Sequence, residues 1–321
     1  MNVRSPLFVA AVALMVMVGC KPTPTDEEVR MGEPQLDNGS FTAEINSHTI
    51  HYEIHGTGPV VMAVPNSWGL SLEGLRGFYQ PLEERVTMVY FDPRGMGESG
   101  EIVVDEDMGL ATVRKDFDGL RRHLGLDQVH AIGWSNGAMN LILLAAEYPD
   151  TLRSATFLHG VAKVDEVEMA QWAARQPELF QRMGRLMQRL ESGEIPADTG
   201  TDLLKALWVE DFFPASCADP VAAAPILADY YRDVDFSWPH ARYANLEAPL
   251  FDGREQVGMI SVPCLVVAGA HDNFAPEKVR ELHEGLADST FVVFEDSGHF
   301  APLEEPGRFQ ETVLEFWGVR R

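Results

Sequence analysis

The sequence predicts an α/β fold, a mostly parallel, doubly wound sheet interrupted once by a helical insertion, and three features carry that reading. Short, largely apolar runs with β-branched residues recur at Val60 to Val64, Val129 to Gly133 and Cys264 to Ala268, as strands buried on both faces require. Helical patterns separate them, among them Ala111 to Leu124, Ala138 to Tyr148, Glu277 to Leu286 and Arg308 to Trp317. Between about Val161 and Val257 the strand signal disappears, and a stretch rich in Met, Gln, Glu, Leu and Trp takes its place. Further strands are expected at Ile50 to His55, Thr87 to Phe91, Ser154 to Leu158 and Phe291 to Phe294. The expected organisation is a sheet core over residues 41–160 and 258–321, with residues 161–257 forming a helical cap over the carboxyl ends of the strands, where such sheets bind ligands. No internal repeat is seen.

Gly133-Trp134-Ser135-Asn136-Gly137 lies between a strand and a helix. A serine at so sharp a turn needs small residues two before and two after it, because a Cβ at either place would meet the neighbouring backbone. Ser135 is therefore a candidate nucleophile. A serine hydroxyl is a poor nucleophile near neutral pH and needs a base, itself oriented by an acid. Both follow in the chain. The strand ending at Gly269 runs into Ala270-His271-Asp272-Asn273, and the strand ending at Phe294 runs into Ser297-Gly298-His299. Asp272 is the candidate acid and His299 the candidate base.

These segments, together with Phe91-Asp92-Pro93-Arg94-Gly95-Met96-Gly97-Glu98-Ser99 and Phe300-Ala301-Pro302-Leu303-Glu304, resemble the α/β-hydrolase superfamily from about residue 48 to the end. Within it the chain is most similar to the proline iminopeptidase-like branch of serine hydrolases. That branch usually reads His-Gly-Gly-Pro-Gly where this chain has Pro65-Asn66-Ser67-Trp68-Gly69, and Asp-Gln-Arg-Gly where it has Asp92-Pro93-Arg94-Gly95. The resemblance implies an α/β-hydrolase fold and acyl transfer by a Ser-His-Asp triad, with oxyanion donors from the backbone N–H groups of Asn136 and Ser67. Asn66 stands where the branch has glycine, and asparagine tolerates left-handed backbone well enough to replace it. The serine at 135 excludes relatives with an aspartate nucleophile, such as haloalkane dehalogenases and epoxide hydrolases.

The N-terminus reads as a lipoprotein-type signal peptide over residues 1–20. Arg4 precedes an apolar run of about twelve residues, Leu7 to Val18, too short to cross a bilayer core, which takes about 20. Met17-Val18-Gly19-Cys20 resembles a bacterial lipobox, which implies lipidation at Cys20. Residues 21–40, polar and proline-bearing, are expected to form a disordered tether. Lys21 lacks the aspartate associated with inner-membrane retention, so the expected location is the cell envelope, at the outer membrane facing the periplasm. Of the three cysteines, Cys217 and Cys264 then remain, and no disulfide is expected between a cap and a central strand.

A net charge of −24, from 49 acidic and 25 basic residues, argues against nucleic acid as a partner, and membrane contact is expected through the lipid anchor alone. No histidine pair sits at metal-ligand spacing on a helix, so no metal and no cofactor are expected, and the other histidines are read as surface or satisfied core groups. The oligomeric state is not legible.

The expected function is hydrolysis of a small ester, amide or peptide substrate. The alternatives are an aminopeptidase of the proline iminopeptidase type and a hydrolase-fold binding protein with negligible turnover. An aminopeptidase must meet a substrate ammonium with carboxylates, and Glu210 and Asp211, set among Trp208, Val209, Phe212 and Phe213, are candidates for that role. Trp134, beside the serine, is a third candidate substrate contact.

Overall fold

The computed structural model describes residues 36–66 and 68–319; the expected signal peptide, Cys20, most of the expected tether and Ser67 lie outside the described residues. Eight strands form one sheet: β1 (Gly39–Ile45), β2 (His48–Gly56), β3 (Val60–Val64), β4 (Thr87–Phe91), β5 (Val129–Trp134), β6 (Leu152–Leu158), β7 (Cys264–Gly269) and β8 (Ser289–Phe294), in the order β1-β2-β4-β3-β5-β6-β7-β8. The β1-β2-β4 edge is antiparallel and every later pairing is parallel. β3, β4 and β7 are buried at every residue, which explains why they read as continuous apolar runs. The seven strands expected from the sequence are present. The eighth, β1, is not among the expected strands, and it begins at Gly39, inside residues 21–40 that are expected to form the tether. β1 alternates exposed and half-buried residues and secures itself by pairing with β2 along its whole length, an edge strand whose signal is weak without its partner.

Helices α1 (Glu73–Tyr79), α2 (Leu110–His123) and α3 (Asn136–Glu147) connect the first strands. Between β6 and β7 the described chain is helical: α4 (Glu166–Arg175), α5 (Pro177–Glu191), α6 (Ala197–Leu207), a π-helical turn at Trp208–Phe212, α7 (Pro220–Tyr230), α8 (Trp238–Glu247) and the short α9 (Arg254–Val257). After β7 come α10 (Pro276–Gly285), α11 (Ala301–Glu304) and α12 (Pro306–Phe316). One apolar cluster joins α1, α12 and the cap to one face of the sheet, and a second packs α2, α3 and α10 on the other. Among the described residues no helix is long and apolar enough to cross a membrane.

The strand order reverses between β3, whose successor β4 lies to one side, and β5, which lies to the other. The loops leaving β3 and β5 therefore diverge and open a crevice at the carboxyl edge. Two buried polar assemblies fix its walls. The Asp92 carboxylate accepts hydrogen bonds from the amides of Leu72 (2.8 Å) and Glu98 (3.2 Å) and pairs with His51 Nδ1 (2.7 Å), so the loop after β4 holds the loop after β3. Burial pushes the Asp92 carboxyl up to about 6 against the lowering effect of these bonds. Arg94, 8% exposed, binds Asp116 through two nitrogens (2.8 and 2.9 Å) and Asp107 through a third (2.7 Å). Replacing Arg94 by alanine strands two buried carboxylates, and a loss of about 3–5 kcal/mol in chemical denaturation is expected; a loss below about 1 kcal/mol would show that water reaches the pair.

Candidate active site

The tight turn between β5 and α3 places Ser135 at φ 55° and ψ −119°, a conformation that costs an L-residue energy and persists only where neighbours enforce it. They do so closely. A Cβ on Gly133 would lie 2.5 Å from the Gly137 carbonyl oxygen, and one on Gly137 would lie 2.7 Å from that of Val64, so both flanking positions have room for glycine alone. The turn is tied down by the Ser135 amide, which donates to the Leu158 carbonyl at 2.8 Å. The strain turns the hydroxyl out of the sheet and over the crevice.

Ser135, Asp272 and His299, far apart in sequence, meet here. His299 Nε2 lies 2.9 Å from Ser135 Oγ, and His299 Nδ1 lies 2.8 Å from Asp272 Oδ1. Asp272 opens the loop after β7, and its Oδ1 also accepts the Phe274 amide at 3.0 Å. Burial alone would raise its pKa, but the charge of His299 and the hydrogen bonds from His159 and His299 prevail and hold the carboxyl well below the usual carboxylate range. An ionised carboxylate only accepts, so Nδ1 of His299 carries the proton and the bare Nε2 faces the serine hydroxyl. That is the tautomer a general base requires.

His299 is held from the cap as well as from the sheet. The His299 amide donates to the Ser216 carbonyl at 2.8 Å, Asn273 Nδ2 donates to Ser216 Oγ at 2.6 Å, and Trp134 Nε1 donates to the His299 carbonyl at 2.8 Å. Trp134 thus lines the cavity and also anchors His299. Asn136 occupies the first turn of α3, where backbone N–H groups point beyond the helix end. Ser67, the expected second oxyanion donor, lies outside the described residues. Its neighbour Asn66 is not among the residues with positive φ, so the left-handed backbone considered for it is not adopted. Instead the Asn66 side chain accepts the Trp68 amide at 2.8 Å.

Over Ser135 lies a cavity of about 380 Å³ whose wall is apolar, with Trp68, Met139, Met169, Trp172, Met187 and Phe212 among the lining side chains. Glu210 and Asp211 do not line it. Trp208 and Phe212, four residues apart, share the inward face of the π-helical turn, which leaves Glu210 exposed and sends Asp211 outward into an ion pair with Arg182 at 2.8 Å. The expectation that these two acids meet a substrate is corrected accordingly. Cys217 and Cys264 are buried free thiols, both pushed up by burial, Cys264 to about 12.

His159 was read from sequence as an ordinary histidine and belongs to this site. It follows β6, is fully buried and places Nδ1 2.6 Å from Asp272 Oδ2. The available signal was its position, a polar residue closing an apolar strand at the catalytic edge. His159, Asp272 and His299 have the composition of a metal site, with potential ligand atoms within 4.8 Å of one another. In this structure those atoms are joined by hydrogen bonds.

The alpha/beta hydrolase fold family matches residues 61–306. The chain is 24% identical to a proline iminopeptidase of Clostridium botulinum over 252 residues, covering 73% of this chain and 81% of that protein. It is 23% identical to a 2-hydroxy-6-oxo-6-phenylhexa-2,4-dienoate hydrolase of Comamonas testosteroni over 287 residues, covering 85% and 92%. The crystal structure of an enol-lactonase from Burkholderia xenovorans LB400 superposes with a TM-score of 0.66 at 22% identity, covering 86% of this chain and 99% of that one. With the sheet order, the strained serine turn and this match together, the chain belongs to the alpha/beta hydrolase fold family and is a hydrolase.

Proposed function

We propose that this chain is a serine hydrolase for neutral carboxylic esters with a bulky apolar acyl group. The observation that carries the reading is the hydrogen-bonded line Ser135, His299, Asp272 opening onto an apolar cavity. Ser135 Oγ attacks the ester carbonyl while its proton passes to His299 Nε2. The tetrahedral oxyanion collapses, expelling the alkoxide, which takes that proton from His299. Water then attacks the acyl-serine with the same histidine as base, and the carboxylic acid leaves. The Asn136 amide is one oxyanion donor and the segment at Ser67 supplies the other. Asp272 stays ionised throughout and balances the imidazolium.

The likeness to a proline iminopeptidase makes an aminopeptidase the competing reading. An ammonium inside this cavity needs a carboxylate. Among the described residues that line it, Glu166 is the one acidic side chain, and it is exposed. A desolvated ammonium would face aromatic rings and thioethers with no buried counter-charge.

The test compares p-nitrophenyl esters from acetate to octanoate with proline and alanine p-nitroanilides. kcat/KM is expected to rise with acyl length, since each buried methylene contributes about 0.8 kcal/mol, and the best ester should exceed either anilide by about a hundredfold or more. Anilide turnover matching the esters would replace this reading with the aminopeptidase.

A further inference from the structure

The Asp272 carboxylate is fully enclosed and its two oxygens are bound differently. Oδ1 takes the His299 ring and the Phe274 amide; Oδ2 takes the His159 ring alone at 2.6 Å. His159 stands on its own strand end, at φ 54°, a left-handed position that a histidine occupies at a cost. Its ring is 5.4 Å from that of His299, and its Nε2 is buried with no hydrogen-bond partner among the described residues. A proton on that nitrogen would be an unsatisfied buried donor, so the ring is neutral and its one proton is on Nδ1, facing Asp272.

We propose that His159 is a positioning residue for the triad: its Nδ1–H fixes the second oxygen of Asp272, which holds the carboxylate in the rotation that aligns His299 and draws off part of the charge that His299 feels. This rests on the triad reading given above. Without that donor Oδ2 would be a bare carboxylate oxygen in a closed site. The carboxylate could then turn about its own axis, and its full charge would bear on the base. A strained backbone and a half-satisfied ring are the cost of placing a donor at this spot, and no other side-chain donor reaches Oδ2 among the hydrogen bonds of the described residues.

Two substitutions separate this role from simple packing. Asparagine tolerates the left-handed backbone and sets an N–H donor close to where the histidine carries Nδ1; glycine tolerates the backbone and offers nothing. In His159→Gly, kcat should fall by about tenfold to a hundredfold, the scale of a modest misalignment of reacting groups. KM should be unchanged, because His159 does not line the cavity. The acidic limb of the kcat/KM profile should move to higher pH, since the undiluted Asp272 charge favours the protonated form of His299. His159→Asn should return kcat and the limb toward wild type. Other titratable and charged groups around the acid and base include Cys217 from the cap and Glu304 of α11, whose carboxylate accepts the Gly298 and Phe300 amides; His271, Arg175, Glu178, Arg182 and Asp211, which line a second cavity with Asp272; and Glu166, which lines the cavity over Ser135; all are the same in all three proteins. A role confined to packing would lower thermal stability without moving the limb.

Nitrogen-15 NMR of histidine-labelled wild type makes the same test without any variant. His159 should show the neutral Nδ1–H tautomer. The proposal is overturned if His159→Gly keeps the wild-type kcat and limb, if His159→Asn is as impaired as the glycine variant, or if the His159 ring carries its proton on Nε2. Failure of the triad reading looks different: hydrolysis would then survive replacement of Ser135, whatever stands at 159.

Discussion

Ser135→Ala should lose about 10⁶-fold in kcat on the best ester while keeping the wild-type melting temperature. The size follows from removing the attacking atom, for which neither the base nor the oxyanion donors can substitute. The fold should survive because alanine keeps the Cβ that the turn already accommodates at φ 55°, and the lost hydroxyl bonds only across the cleft to His299. A second serine lines the cavity. Ser216, however, which ends the short 3-10 turn Pro214–Ser216, has its Oγ donating to the Phe212 carbonyl and accepting from Asn273, with no histidine hydrogen-bonded to it among the described residues. Activity within tenfold of wild type in a purified Ser135→Ala protein would move the chemistry elsewhere.

Asp272→Asn is the second large effect, with a loss of about 10⁴-fold in kcat. Both carboxylate oxygens accept from imidazole Nδ1 atoms, Oδ1 from His299 and Oδ2 from His159. An amide in that place must turn its NH₂ toward one of the two rings, whichever way it is flipped. That ring then has to give up its Nδ1 proton, and if it is His299 the proton moves to Nε2, the atom that must be bare to activate Ser135. The substitution also has a pH signature. The Asp272 pKa is depressed in the folded protein below its value of about 3.9 in an unfolded chain. Its stabilising contribution is therefore fully present above about pH 4 and lost as pH falls through the lower folded value. Melting temperature should drop steeply with acid in that window for the wild type and less steeply for Asp272→Asn. A double Asp272→Asn, His299→Ala variant should be little worse than His299→Ala alone, because the two act as one unit.

Much of this site was legible because its chemistry forces local sequence. The serine turn needs glycine on both sides for reasons the structure shows as distances of 2.5 and 2.7 Å to backbone oxygens, and such a requirement leaves a motif. Asp272 and His299 stood out because each follows an apolar strand, and polarity resuming at a strand end is visible in any single sequence. His159 has the same placement after β6 and went unread for want of a motif around it; a hydrogen bond between residues 113 apart leaves no local trace. The Glu210 and Asp211 error has another source. Acids flanked by aromatic residues look enclosed along the chain, yet a helical turn sends Trp208 and Phe212 to one side, with Val209 buried as well, and Glu210 and Asp211 to the other. The i, i+4 spacing of those two rings carried that information. At the Asp92 loop the motif was recognised by likeness, and its purpose emerges only in three dimensions: Asp92 reaches across to the Leu72 amide and Arg94 gathers two acids from later in the chain.

Covalent labelling tests whether Ser135 is a nucleophile activated by His299, without knowledge of the natural substrate. Wild-type protein, Ser135→Ala and His299→Ala are each incubated with a fluorophosphonate, and the adduct is measured by intact mass and located by peptide mapping. The account predicts one adduct per wild-type chain, on the peptide containing Ser135, with none on Ser135→Ala and labelling of His299→Ala slowed by several orders of magnitude. Stoichiometric labelling at any other residue, or wild-type protein that stays unlabelled under conditions that modify a control serine hydrolase, would contradict it.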